Sequence, residues 1–368
     1  MKKYLSSLVT LVLLIVSCTI NDENDENINL IHDIYLDDNG ITYKATPYTP
    51  VNFEKIINGI KYKVVDEESL RSMILSNSDV ANVVTTHVKN MSELFAGYEN
   101  FNDNISSWDV SNVINMKCMF CGSLKFNQDI SSWDVSNVTD MSRMFINTQS
   151  FSKELKNWDV SNVTDMSEMF SLSKFNGEIS NWDVSNVTDM SLMFFQSNFN
   201  QDLSAWDVSN VTNMSYMFYY FEEEKNDNYF NSGIFKITKD HKVKDMSFMF
   251  SSNENFNQDI SAWDVSNVTD MGYMFNSTLN FNQDISGWDV SNVTNMNGMF
   301  GGSNFNQDIG SWDVSNVTDM GYMFFYSKKF NQDLSNWNIY NCRYCRNFRK
   351  HAEQYDMPIP NFVFCDPD

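Results

Sequence analysis

The chain has 368 residues, 42% of them hydrophobic and 15% aromatic, and carries 48 acidic against 25 basic side chains for a formal net charge of -23. This balance leaves no basic face to neutralise phosphates or to dock on anionic headgroups, which argues against nucleic acid and against a polybasic membrane contact. The apolar content is far too high for a disordered acidic tail, so the chain buries a core.

In chain order, Lys2 and Lys3 precede a short apolar run over residues 5–16. A run of this length with a charged start reads as a secretory leader (residues 1–17) rather than a spanning helix. Ser17-Cys18 at its end resembles the lipobox of bacterial lipoproteins, which implies lipidation of Cys18 and export to the cell surface or outer membrane, held there by the lipid alone. An ordinary cleaved leader that happens to contain a cysteine is the other reading. Residues 18–30 are polar and acidic, a tether that like charges extend. Over residues 31–82 the sequence predicts a hairpin across Asp38-Asn39-Gly40, then a strand and the helix Glu67–Leu75, together an N-terminal cap.

From residue 83 to 348 one phrase recurs, as in NWDVSNVTDMSEMF at residues 157–170. The tryptophans Trp108, Trp133, Trp158, Trp182, Trp206, Trp263, Trp288, Trp312 and Trp337 stand 24 or 25 apart, save one gap of 57 that Phe235 divides. About eleven units result, with atypical first and last members, as stacked repeats need to close their ends. Trp133-Asp134-Val135-Ser136 alternates as a half-buried strand does, and Met141, Met144 and Phe145 follow the i, i+3, i+4 spacing of a helical turn, with Thr139 as its N-cap. All 22 methionines but Met1, Met73 and Met357 fall on the two Met positions of the unit, so they read as core filler. Only the stretch between the Met-Phe and the next Phe-Asn varies in length among the regular copies, which marks it as the exposed loop.

The unit F-N-Q-D-I-S-x-W-D-V-S-N-V-T-D-M-S-x-M-F resembles the repeat of BspA-type leucine-rich-repeat surface lipoproteins of bacteria, and residues 31–82 resemble their lead-in. The resemblance implies an α/β repeat solenoid, each unit a short parallel strand plus a short helical turn, with a cap or tail over residues 349–368. It also implies a non-catalytic binding or adhesion module that engages an extracellular protein or cell-surface ligand. A structural or antigenic coat protein is the alternative, and a two-carboxylate hydrolase the weakest reading.

No catalytic residue, cofactor or metal ligand is assigned, because the four histidines lack acid or nucleophile partners at any recurring spacing. Cys118/Cys121 and Cys342/Cys345 look like halves of a zinc site, but Cys342 and Cys345 replace core residues of the unit and the pairs lie nine units apart; a local disulfide stays open. The Asn-Val-Thr triplets fit a glycosylation acceptor, yet they are the repeat itself, and a stacked asparagine ladder is the better expectation. The outward column Asp109, Asp134, Asp159, Asp183, Asp207, Asp264, Asp289 and Asp313, broken by Lys236, has two readings. Each carboxylate is a local turn acceptor, or the strip binds calcium weakly or a basic partner surface. Tyr219, Tyr220 and Tyr229 belong to a long acidic insertion, read either as a tolerated loop or as a protruding partner contact.

Overall fold

The computed structural model describes residues 31–221 and 229–368, so the leader, the tether, Cys18 and residues 222–228 lie outside the described residues. The first elements are β1 (Ile34–Leu36) and β2 (Tyr43–Ala45), paired antiparallel with Tyr35 opposite Lys44. The Asn39 carboxamide makes their turn, its oxygen accepting the N–H groups of Ile41 and Thr42 at 2.9 Å each. A second hairpin joins β3 (Glu54–Ile57) to β4 (Ile60–Val64) through Asn58-Gly59, both at positive φ. That Asn-Gly pair is the standard signal for such a turn, a second hairpin beyond the one expected across Asp38-Asn39-Gly40.

Helix α1 (Glu67–Leu75) occupies the residues read as helical. Asp66 caps it: its carboxylate takes the Ser69 N–H at 2.9 Å while the Ser69 hydroxyl takes the Asp66 N–H at 3.0 Å. Leu70 and Ile74 are its buried side. Strand β5 (Val83–Val84) then pairs parallel to β4. The helix also closes the first repeat unit. Glu67 accepts the N–H groups of Lys89 and Asn90, and Arg71 donates to the Ser92 carbonyl at 2.8 Å. Backbone groups that a preceding unit would satisfy are thus satisfied by two side chains.

Each unit bonds the next through its Thr-Asp-Met-Ser-x-Met-Phe segment. Met141, Arg143, Phe145 and Asn147 donate their N–H groups to Asp165, Ser167, Met169 and Ser171, while Thr139 donates back to Ile114. Isolated parallel bridges run up the same column, from Asn90–Asn115 through Asp140–Asp165 to Asp319–Tyr344. The intervening residues close local turns: Met144 donates to Met141 and Ile146 to Arg143. Arg143 sits at φ 60° and its counterparts Glu93, Cys118, Glu168, Leu192, Tyr216, Phe248, Tyr273, Tyr322 and Asn347 lie between 53 and 58°.

Three sequence expectations are therefore corrected. The segment read as a helical turn contains a left-handed residue in every unit, so it cannot continue as an α-helix; among the described residues α1 is the only helix. Between regular units the inter-unit backbone ladder lies on this segment rather than on Trp-Asp-Val-Ser, whereas the variant unit is also bonded there, through the Asp207–Lys236 bridge and the Asp264 N–H to Ile237. Thr139 is not an N-cap either, since its hydroxyl donates to the Ile114 carbonyl of the preceding unit at 3.1 Å.

The inward register stands. One continuous core runs from Val65 to Tyr355 and contains the Trp, Val, Met and Phe positions of the units. Phe120, Phe145, Phe170 and Phe194 stack face to face with centroids 5.5–5.9 Å apart. Each such ring contributes about 1.5–3 kcal/mol on burial. The indole N–H groups are satisfied across units, Trp133 to the Ile105 carbonyl at 3.3 Å and Trp182 to Leu155 at 3.1 Å. Side-chain amides add an outer ladder: Asn137 to Ser111, Asn162 to Ser136 and Asn186 to Ser161, each at 2.7–2.8 Å. The repeated asparagines of the Asn-Val-Thr triplets thus spend their donors on the neighbouring backbone. At the far end, Leu334 and Phe348 donate to Pro358 and Pro367, and Cys345 is bonded to Cys365, so the final segment covers the last unit.

Candidate functional site

A regular unit changes direction at three Asp-x-Ser triplets, as at Asp129, Asp134 and Asp140. In each the aspartate Oδ1 accepts both the N–H and the hydroxyl of the serine two residues on: 3.0 and 2.7 Å at Ser131, 3.2 and 2.6 Å at Ser136, 2.9 and 2.6 Å at Ser142. The serine binds its own turn through the carboxylate, which fixes the corner without help from a neighbour.

The candidate column is built from the middle triplet. Asp159 takes Ser161 N–H at 3.1 Å, Asp183 takes Ser185 at 3.0 Å, Asp207 takes Ser209 at 3.0 Å, Asp289 takes Ser291 at 3.1 Å and Asp313 takes Ser315 at 3.0 Å. The local-turn reading is thus what the geometry shows. It leaves the column available all the same, because the serine N–H bonds to these five and to Asp134 all fall on Oδ1, and all six residues are exposed. Asp183 and Asp313 are held below the usual carboxylate range, first by the Ser185 and Ser315 hydroxyls and then by the same serines' N–H groups, which bond the charged form.

Two members depart from the column. Asp109 is buried at 1% exposure, with Thr86 Oγ1 donating to its second oxygen at 2.6 Å and Thr85 Oγ1 to its carbonyl at 2.8 Å. It bonds the second unit to the first, where Thr86 Oγ1 in turn accepts the Ala45 N–H of the cap at 3.0 Å, and it is not part of an open strip. Asp264 is half-buried beside the insertion of the variant unit. Burial raises its pKa, but the Ser266 hydroxyl and N–H, with His241 and Lys239, outweigh this and lower it overall.

Between Asp207 and Asp264 stands Lys236, exposed and bridged to Asp207 through the backbone. The same unit buries His241 at 2% exposure. Its Nδ1 accepts the Val243 N–H at 3.1 Å, so that nitrogen carries no proton, and Nε2 lies 3.8 Å from Asp264 Oδ1 without a hydrogen bond. Burial holds the imidazole below its ordinary pKa, against the pull of Asp264. In the sequence this histidine has no acid or nucleophile partner at a recurring spacing, and the surplus residues at that corner are the available signal.

The aromatic insertion is also corrected. Tyr220 and Tyr229 do not protrude: they are 6% and 8% exposed and meet edge to face at 4.9 Å. Tyr219 is half-buried and lies flat on Phe195 at 5.0 Å. Phe221 is exposed, and the acidic residues 222–228 lie outside the described residues. The outward aromatics that do form a row occupy the left-handed position. Tyr216 stacks on Phe248 at 4.3 Å and Phe248 on Tyr273 at 4.6 Å, a row that lining the units up by position would have disclosed.

Cys118 and Cys121 form a local disulfide, whereas Cys345 pairs with Cys365 across 20 residues and not with Cys342. Cys342 is a buried free thiol whose pKa burial pushes up to about 11, a core side chain rather than a nucleophile. Among the described residues no group of three or more His, Cys, Asp or Glu side chains is placed to hold a metal ion. No described helix is long and apolar enough to cross a membrane.

No curated protein and no solved structure is significantly similar to this chain. Family similarity follows the repeats: four overlapping stretches, residues 67–174, 152–232, 221–304 and 301–366, match one family description. With most of its length covered and its units bonded one to the next, the chain is a repeat protein that belongs to the family described as "Mycoplasma protein of unknown function, DUF285".

Proposed function

We propose that this chain is a non-catalytic binding module of the cell surface, and that its partner presents a basic face to the aspartate column. The observation that carries the reading is the row Asp134, Asp159, Asp183 and Asp207, exposed residues whose Oδ1 each takes the N–H of its own serine. The Trp158 and Trp182 rings beside this column lie 6.5 Å apart, and carboxylates at that separation repel by roughly 0.6 kcal/mol per pair even in bulk water. A row maintained against that repulsion suits a cationic partner, and its engagement weakens with salt. The leader ending in Cys18 supports export with a lipid anchor. The repeated, mutually bonded units support a leucine-rich-repeat-like solenoid of the BspA type, although the turns inside each unit are not helical.

The test is capture of host and bacterial surface fractions on the immobilised chain, with and without calcium, beside the triple variant Asp159→Asn, Asp183→Asn, Asp207→Asn. Asparagine keeps the Oδ1 acceptor, so the corners persist while the charge goes. Loss of a saturable partner in the variant, with an unchanged melt, is the expected result. Equal capture by both chains removes the column from binding. No saturable partner for either would favour a coat protein without a ligand. Mass analysis of the native N-terminus tests the lipid on Cys18.

A further inference from the structure

Position by position, the eleven units provide their own control for the Cys118–Cys121 bond. Cys118 holds the left-handed place of its unit at φ 56°, and the same place is held at 53–61° by Glu93, Arg143, Glu168, Leu192, Tyr216, Phe248, Tyr273, Gly298, Tyr322 and Asn347. None of these carries a local disulfide. The Cys121 N–H donates to the Cys118 carbonyl at 3.2 Å, as Ile146 does to Arg143 at 3.1 Å and Ser171 to Glu168 at 3.1 Å. Cys118 N–H reaches Ser142 of the next unit as Arg143 reaches Ser167. The backbone of this turn is therefore the same with the bond and without it. What holds it is the inter-unit ladder.

The pair is also open to reagents. Both cysteines are half-buried on the outer side of the segment, whereas Cys345 lies fully in the core. The flank beside Cys121 is lined by Gly97 and Gly122, where an added side chain would meet only the backbone of Gly97, at 3.9 Å. Cys345–Cys365 differs in kind: it ties the final segment over the last unit and closes a loop of 20 residues.

We infer that Cys118–Cys121 is a thiol–disulfide exchange site on the repeat surface, which external thiols open and close without unfolding the chain. An incoming thiolate attacks one sulfur, forming a mixed disulfide and releasing the other cysteine as a thiolate. A second external thiolate then attacks the incoming sulfur, leaving as a symmetrical disulfide and expelling the second cysteine thiolate. The protein disulfide gains two electrons and two protons, and two external thiols supply both.

Glutathione is the probe. The full chain, first equilibrated with oxidised glutathione, is titrated with reduced glutathione, and its free thiols are alkylated and located by peptide mapping. Cys118 and Cys121 are expected to label at a glutathione concentration at least about tenfold below that which opens Cys345–Cys365. The circular dichroism should be retained and the melting midpoint should stay within about 2 °C. Cys121→Ser should trap a glutathione adduct on Cys118. The idea is overturned if the pair labels only in step with Cys345–Cys365, if it is not oxidised at the start, or if the folded signal is lost as it opens. A Cys118→Ser, Cys121→Ser chain that melts far below the wild type overturns it equally.

Discussion

Gly298→Ala separates the two backbones that the repeat pattern allows. Gly298 stands at φ 61° in the left-handed place of its unit. Placing a Cβ there costs about 1–2 kcal/mol on backbone grounds alone. The new methyl would also lie 2.4, 2.6 and 2.9 Å from Cε1, Cδ1 and Cζ of Tyr273, whose ring leans over the bare glycine. Displacing that ring is an overpacking cost of about 1–3 kcal/mol, and it disturbs the stack on Phe248. The substitution is expected to destabilise the chain by about 2–5 kcal/mol in total. A helical turn reverses the sign, since Gly→Ala inside a helix gains about 1 kcal/mol. The assay is urea unfolding followed by circular dichroism, with the slope compared so that a shifted midpoint reports stability alone. In a Tyr273→Ala background the ring is gone, and only the backbone share should remain. A Gly298→Ala chain as stable as the wild type, or more so, would refute the left-handed turn and restore the helix.

Trp182→Ala should cost about 3–5 kcal/mol by cavity formation, while the Leu155 carbonyl loses the indole N–H but keeps that of Trp158. Trp182→Phe keeps most of the packing and should fall between it and the wild type, and equal urea midpoints for all three would place this tryptophan outside the core. His241 should make stability fall on mild acidification. Its folded-state pKa lies below the unfolded value, so its contribution is complete above about pH 6.5 and is lost as the pH drops from there towards the folded pKa. His241→Asn retains an acceptor for the Val243 N–H and should flatten the melting midpoint between pH 7 and 5.5 relative to the wild type; parallel curves would mean that the imidazole is not buried uncharged.

Side-chain chemistry made the inside of this protein legible and left its backbone ambiguous. The recurrence of Trp, Val, Met and Phe placed all four in the core, and the asparagine of each Asn-Val-Thr triplet was recognised as a ladder residue because it repeats with the unit. The i, i+3, i+4 spacing of Met141, Met144 and Phe145 was read as helical. Consecutive three-residue turns return side chains to the core at the same spacing, and Met144→Met141 is the same i to i+3 bond that a tight helix makes. Periodicity does not separate the two. Only the sign of φ at Arg143 does, and arginine is not a residue that announces it. Gly298 and Asn347, both at that place, are the hints. The disulfide partner of Cys345 was closed to sequence reasoning for a different reason: cysteine counts do not give connectivity, and Cys365 lies in a segment with no repeat register.

The variant unit shows where such a protein has freedom to change. Its arm from Phe230 to Phe235 is two residues shorter than Phe126 to Trp133, and its corner from Ile237 to Val243 is three residues longer than Val135 to Val138. The stack absorbs both changes. The Phe235 ring lies on Trp263 at 5.8 Å and 5°, where an indole would otherwise lie, while its carbonyl accepts the Trp263 indole N–H at 3.0 Å, a bond that Ile130 provides to Trp158 in a regular unit. Asn267, likewise, donates to the His241 carbonyl in place of a serine carbonyl. In each ladder the acceptor is backbone, so a neighbour needs a carbonyl at the right height and is indifferent to the side chain that carries it. Inward positions are then restrained by volume, through Met246, Met249 and Phe250, which stay fully buried. Outward positions carry no such restraint. A column can run aspartate, lysine, aspartate, and a left-handed place can hold glutamate, cysteine, tyrosine or glycine without breaking a single rung. It is on these outward positions that one repeated phrase can acquire local chemistry, and the aspartate column and the Cys118–Cys121 pair both lie there.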